Sequence, residues 1–150
     1  MNRFFISIGS NLEPEKNIPA CLTLLKKEFE GIKRSSVYET DPVGPAGDKK
    51  FWNLVVQIQT PLDKKSLVEK MREIEKQLGR KREAANRFAA RTIDLDLLPT
   101  PDYADQGFVI IPLAEMAPAE RDPVSGKTFR ELAEPFRTQR GLRKISSLLL

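Results

Sequence analysis

The order of periodic segments predicts an α/β (α+β) fold, a βαββαβ core with an antiparallel sheet and extra C-terminal elements. Three observations support it. Four short stretches have the apolar spacing of strands, and two longer ones between them repeat apolar residues at helical intervals. Nothing reads as an internal repeat, a low-complexity run or a linker, so residues 1–150 are taken as a single domain, long enough to bury a core.

Arg3–Gly9 is the first strand, mixed enough to be buried on both faces. Gly9-Ser10-Asn11 is a turn, and it lacks the G-x-x-x-x-G-K-[ST] spacing of a P-loop. Ile18, Cys21, Leu22, Leu25 and Phe29 recur at helical spacing. Pro14 or Pro19 sits in the first turn of that helix, where a missing N–H costs little, and Gly31 ends it. Lys33–Thr40 reads as the second strand and Trp52–Thr60 as the third, with Trp52, Leu54, Val56 and Ile58 on one face. The Pro/Gly-rich stretch Asp41–Asp48 is the loop joining them.

Asp63 caps the second helix, and Leu62 staples onto Leu67. Val68, Met71, Ile74 and Leu78 make its buried face, Glu75 lies opposite or beside that face as a solvated charge, and Gly79 stops it. Ile93–Leu98 alternates apolar and acidic residues, the pattern of a half-buried strand. Asp94 and Asp96 therefore share one face, while Ile93, Leu95 and Leu97 turn towards a core.

The apolar run Gly107–Leu113 reads as a further strand, with Phe108 as one of its core residues. Pro123–Gly126 is a turn, and Thr128 with Glu131 forms a capping box for a short helix to about Glu134. The basic tail, Arg137, Arg140, Arg143 and Lys144, reads as solvated, without a role. Strand, helix, strand, strand, helix, strand is the ferredoxin-like order, and that fold hosts so many functions that function must come from the site.

Composition narrows the chemistry. Hydrophobic residues at 40% and charged residues at 31% suit a soluble globular chain. No apolar run approaches a membrane span, and the start of the chain has no signal-peptide layout. The single cysteine, Cys21, excludes an internal disulfide, fits a reducing cytoplasm, and falls on an apolar helical stripe. There is no histidine, so imidazole bases, Ser-His or Cys-His pairs and His-ligated zinc are excluded. A net charge of +4 suits an anionic ligand and is too mild to indicate nucleic acid.

Chemistry concentrates between Leu78 and Leu98, where Arg80, Arg82, Arg87 and Arg91 precede the acidic pair. Neighbouring carboxylates repel, and nearby positive charge keeps both ionised. A hard cation such as Mg²⁺ takes one or two carboxylates together with phosphate oxygens and water. Guanidinium forks match phosphate oxygens. The combination is what phosphoryl transfer asks of a protein. The other reading of the same residues is a surface charge network on the wet face of a strand.

The stretch RTIDLDLL, preceded by IEKQLGRKR, resembles the signature of the 6-hydroxymethyl-7,8-dihydropterin pyrophosphokinase family. The resemblance extends from Gly9 to about Glu131. It implies ATP and a reduced pterin as substrates, with two Mg²⁺ ions held between them by Asp94 and Asp96. It makes Arg80, Arg82 and Arg91 catalytic and phosphate-binding, and it places Glu75 and Leu97 beside the nucleotide.

The segment Tyr38-x-Thr40-x-Pro42-Val43-Gly44 followed by Phe51-x-Asn53 is similar to the family's pterin-binding segment. By that likeness Thr40, Pro42 and Val43 line the pocket, Phe51 and Phe108 stack on the ring from opposite sides, Asn53 bonds its amide-like edge, and Asp94 reaches the pterin. Without the likeness, Phe51 is a core residue and the loop is a connector.

Two departures stand out. Phe88-Ala89-Ala90 stands where the family commonly has an aromatic-Gly-Pro, and the Arg82–Arg91 interval looks one residue longer. Between Pro99 and Gln106 the chain lacks a longer ATP-contacting segment with its histidine, and Gln106 stands where an arginine is usual. The expected function is Mg-dependent transfer of pyrophosphate from ATP to the pterin, in a cytoplasmic monomer without nucleic-acid or membrane partners. The alternative is a divergent pterin- or nucleotide-binding relative that has lost part of its ATP clamp. A single-strand RNA binder, the third class, lacks its Gly-and-aromatic run here.

Overall fold

A computed structural model describes residues 1–41, 50–79 and 93–145. In chain order the elements are β1 (Asn2–Ser10), α1 (Pro14–Glu28), β2 (Lys33–Arg34), β3 (Val37–Thr40), β4 (Phe51–Thr60), α2 (Lys64–Gln77), β5 (Asp94–Leu97), α3 (Gly107–Met116), α4 (Phe129–Ala133) and β6 (Leu142–Ile145), with 3-10 turns at Tyr103–Asp105 and Glu134–Phe136. The strands pair antiparallel in the order β5-β1-β4-β3-β6, and β2 also pairs with β4. Without β6, this is the ferredoxin-like order expected from the sequence.

The sheet separates two cores. On one side Ile6, Ile8, Leu54, Val56 and Ile58 pack against Ile18, Cys21, Leu22 and Leu25 of α1 and Leu67, Met71 and Ile74 of α2. On the other, Phe5 and Val55 meet Val109, Ile110 and Leu113 of α3 and Phe129 and Ala133 of α4. Alternation along β1 and β4 serves both cores at once, which is why those strands read as nearly continuous apolar runs.

Local signals place the helix ends. Pro14 takes the first helical position of α1, leaving Pro19 within the helix. Gly31 and Gly79 both have positive φ, as helix-terminating residues do. The Asp63 carboxylate accepts from Ser66 N at 2.8 Å and caps α2. Thr128 and Glu131 form the expected capping box on α4.

Three expectations are corrected. The strand expected over Lys33–Thr40 divides at Ser35, whose hydroxyl accepts from Val55 N at 2.9 Å while its own N–H donates to Val55 O at 2.8 Å. A side chain occupies a ladder position there, and the strand breaks around it. The run Gly107–Leu113 is not a strand but the first part of helix α3. Gly107, Val109, Ile110, Pro112, Leu113 and Ala114 are all buried in it, so no polar face reveals its period.

The basic tail is not wholly solvated either. Residues 142–145 form β6 beside β3. Arg143 Nε donates to Glu39 Oε1 at 2.9 Å and its Nη2 to Asp41 Oδ1 at 3.0 Å. Partial burial works to raise the Glu39 carboxyl, but hydrogen bonds from Trp52 Nε1 and Arg143 outweigh it and hold the group below its ordinary value.

The short connection Pro99–Gln106 is folded into the second core through Tyr103, which is buried, packs edge-on to Phe129 and donates to Asp122 Oδ1 at 2.5 Å. That bond, with the Ser125 amide, holds the Asp122 carboxyl below the ordinary range. A depressed carboxyl stabilises the fold above its unfolded pKa, and the contribution disappears as pH falls through the folded one. Asp122→Asn should therefore lower the melting temperature at pH 7, with the gap to the parent closing below about pH 4, as followed by circular dichroism.

Candidate active site

The register of the sheet sets out the site. Asp94 pairs with Gly9, Gly9 with Asn53, and Asn53 with Tyr38, so these four form one row across β5, β1, β4 and β3. The next row on the same face holds Asp96, Ser7 and Val55. Beyond Asn53, Phe51 pairs with Thr40. Val55 belongs to the α3 core and Leu95 to the α1/α2 core, so strand alternation puts Phe51, Asn53, Asp94 and Asp96 all on the α3 side.

Asp94 is half-buried and Asp96 exposed, while Ile93 and Leu95 are buried beneath them. This is the division the alternating sequence predicts. Adjacent strands lie about 4.8 Å apart, so Asp94 and Asn53, two strands from each other, have backbones roughly 10 Å apart. The residue between them has no side chain. A Cβ at Gly9 would lie 2.9 Å from Asn53 Oδ1, so the Asn53 carbonyl leans over the glycine. Asn53 is 5% exposed, and its Nδ2 donates to Thr40 Oγ1 at 3.4 Å.

Tyr38, at the end of the row, ties the sheet to α3 by donating to Glu115 Oε1 at 2.6 Å. Glu115 Oε2 takes the Ser36 amide at 2.8 Å as well. Burial first, and then the bond to Glu115, push the Tyr38 hydroxyl well above the usual phenol value, so it acts as a donor rather than a base.

Phe108 lies in the first turn of α3, half-buried against the second core. It opens onto a recess of about 530 Å³ whose other walls include Gln106, Phe136 and Gln139. Neither Phe51 nor the acidic pair lines that recess. The start of α3 nonetheless stands at the Thr40 end of the sheet: a Cβ on Gly107 would lie 3.1 Å from Leu142, which pairs with Thr40.

Leu97 is half-buried and packs on the α1/α2 core, the face opposite the carboxylates. Pro42, Val43, Arg80, Arg82 and Arg91 lie outside the described residues. Glu75 corrects its reading as a solvated charge. It is 2% exposed, and its Oε2 accepts from Leu95 N at 2.8 Å. Its burial beside Ile74 could not be read from helical spacing, which gave it a flanking position.

No group of three or more His, Cys, Asp or Glu side chains gathers into a metal cage among the described residues. The pair Asp94 and Asp96 still fits Mg²⁺, which usually binds one or two carboxylates and completes its octahedron with phosphate oxygens and water. Calcium or zinc in an all-protein cage would require more ligands than this pair provides.

A ferredoxin-like α+β sheet that carries a pair of neighbouring acids, a glycine and a buried amide on one face is the arrangement against which the known proteins can be compared. The chain belongs to the 7,8-dihydro-6-hydroxymethylpterin-pyrophosphokinase (HPPK) family, whose model matches residues 5–118.

It is 33% identical to the 2-amino-4-hydroxy-6-hydroxymethyldihydropteridine pyrophosphokinase of Bacillus subtilis (strain 168), over 94% of this chain and 94% of that one. It is 35% identical to the protein of the same name from Pseudomonas aeruginosa, over 91% and 94% respectively. Among solved structures it superposes on Plasmodium falciparum wild-type HPPK-DHPS with pteroate at a TM-score of 0.74 and 12% identity, covering 96% of this chain. The same protein with pterin and p-hydroxybenzoate gives 0.73 and 14%, again over 96% of this chain. The chain spans a little under half of those two solved chains, 48% and 46%, and they bear on the fold alone.

Proposed function

We propose that this chain transfers the terminal two phosphates of ATP, as one unit, to the hydroxymethyl oxygen of 6-hydroxymethyl-7,8-dihydropterin, releasing AMP. The observation that carries this reading is the row Asp94–Gly9–Asn53: a carboxylate at one end, a buried amide at the other, and glycine backbone between them. A flat bicyclic ring needs a few fixed polar groups with room between them, and this row offers an amide and a carboxylate with no side chain on the residue that separates them.

Asn53 takes the amide-like edge of the pterin, Phe51 covers a face of the ring, and Thr40 holds the Asn53 side chain in place. The opposite edge of the ring, with its hydroxymethyl group, then points along the row to Asp94. Asp94 and Asp96 would hold Mg²⁺, which would supply positive charge against the phosphates and lower the cost of ionising the attacking hydroxyl. Arg80, Arg82 and Arg91 offset charge on the transferred group. The chain has no histidine, so the hydroxyl proton passes to a carboxylate of the pair or to solvent.

Proximity and charge neutralisation account for the chemistry without a covalent intermediate. The proposal includes a single domain acting as a monomer in the cytoplasm, with no nucleic-acid or membrane partner. No helix among the described residues is long and apolar enough to cross a membrane.

The test is direct. Purified protein incubated with ATP, MgCl₂ and the hydroxymethyl pterin should release AMP and the pterin diphosphate in equal amounts, read by ion-exchange chromatography. Omitting either the pterin or MgCl₂ should stop it. Pterin binding without AMP release would instead make the chain a binding relative, for which the short Pro99–Gln106 connection would be the structural reason.

A further inference from the structure

We propose that Glu75 is a positioning residue for the acidic pair: by holding the outward N–H of Leu95 it fixes the set of β5 and so aims Asp94 and Asp96. The inference rests on the phosphoryl-transfer reading above.

β5 stands last in the strand order and pairs only with β1 among the described residues. Leu98 N donates to Phe5 O at 2.9 Å, so by strand alternation the amides of 94, 96 and 98 face β1 and that of Leu95 faces away. Such an outward N–H on an edge strand normally goes to water. Here Leu95 is 3% exposed, water is excluded, and a buried donor without an acceptor would cost the desolvation of that group.

The acceptor comes from α2. Glu75 Oε2 lies 2.8 Å from Leu95 N, and the residue is 2% exposed. A bond from an amide to a carboxylate is charge-assisted and short, and it resists rotation of the peptide plane. Leu95 is the residue between the two acids: the peptide plane that Glu75 holds joins the Cα of Asp94 to that of Leu95, so it sets Asp94 directly and Asp96 through the next peptide along the strand. Buried apolar packing of Ile93 and Leu95 sets the depth of the strand. The Glu75 bond sets its twist.

A second observation places the Glu75 charge within this core. Cys21 of α1 has its thiol pushed up to about 12, by burial first and by the Glu75 charge second. A carboxylate in that position is costly unless it bonds a backbone donor, and helix-forming Leu or Met would have filled the space more simply.

The test compares Glu75→Gln with Glu75→Asp. Gln keeps an oxygen acceptor at the same reach and loses the charge, while Asp keeps the charge and is one methylene short. The first readout is hydrogen exchange of the Leu95 amide, by NMR on the protein without ligands. The second is the MgCl₂ concentration giving half-maximal AMP release, with the KM for ATP measured at saturating Mg²⁺.

Positioning predicts that Glu75→Asp speeds Leu95 exchange and raises the half-saturating Mg²⁺ about tenfold or more, the usual scale for partners of metal ligands. Glu75→Gln should stay within about threefold of the parent on both. The KM for ATP at saturating Mg²⁺ should stay the same in each variant. The reverse order, with Gln impaired and Asp near normal, would show Glu75 acting on the nucleotide through its charge and would overturn the proposal. Unchanged Leu95 exchange in both variants would overturn it as well. If the parent releases no AMP, the pyrophosphokinase reading fails, while the exchange result still judges the contact between Glu75 and β5.

Discussion

Asp94→Asn and Asp96→Asn should each slow AMP release by about a hundredfold or more while leaving the melting temperature within about 2 °C of the parent. Asparagine keeps the size of the side chain and one oxygen but removes the charge that holds a hard cation. The fold should tolerate both changes, because β5 is held by Ile93 and Leu95 below it and by pairing with β1, and the two acids add nothing to that core. Asp96 is exposed, so its replacement leaves the apolar packing beneath β5 unchanged.

The two variants should also differ in a useful way. Asp94 lies in the row with Gly9 and Asn53, and Asp96 lies in the next row on that face, beside Ser7. The Asp94 variant should weaken pterin binding as well as turnover. The Asp96 variant should alter turnover and Mg²⁺ dependence alone. Pre-steady-state AMP release together with pterin fluorescence titration would read both, and full activity in both variants would remove the mechanism.

The second large effect concerns a residue with no side chain. Gly9→Ala should raise the dissociation constant for the pterin by about ten- to a hundredfold, with the KM for ATP little changed. The new Cβ would sit 2.9 Å from Asn53 Oδ1, so the amide must turn away from the ring it is meant to bond. Leaving one polar edge of a bound heterocycle unpaired costs about 1–3 kcal/mol, which sets the range. Asn53→Ala should do similar damage, and the double variant should be little worse than either single one, because both remove the same contact. Isothermal titration of the four proteins gives the cycle. Additive losses would show that Gly9 serves something other than Asn53.

Much of this architecture was legible in the sequence because it follows from periodicity. Alternation in Ile93–Leu98 placed the two acids together and the aliphatic residues beneath them. Asp63, Gly79 and the Thr128–Glu131 box marked helix ends through local chemistry that no tertiary contact overrides. What the sequence concealed was set by distant partners. Helix α3 is buried nearly all round, so its turns looked like a strand. The break at Ser35 depends on Val55, twenty residues on, whose N–H donates to a hydroxyl oxygen in place of a backbone carbonyl.

Glu75 reads as surface charge because helical spacing cannot show that the edge of a sheet will come to rest against it. Within the site, the pairing of Asp94 with Gly9 and Asn53 required a register, and register is a property of the assembled sheet. The likeness of RTIDLDLL to a family signature supplied the chemistry that spacing alone left divided between a cation site and a charge network.

The strand β6 has a consequence for how the chain is made. Its Arg143 grips Asp41 from 102 positions further along, so β3 leaves the ribosome about a hundred residues before the neighbour that covers it. Throughout that interval β3, with Thr40 at its end, is a bare rim open to unintended pairing between nascent chains. Glu39 and Asp41, placed on or just beyond that rim, are charges of the kind that discourage pairing between sheet edges. In the folded chain the same two acids take Arg143, so the groups that charge the rim are also the ones that hold β6 in place.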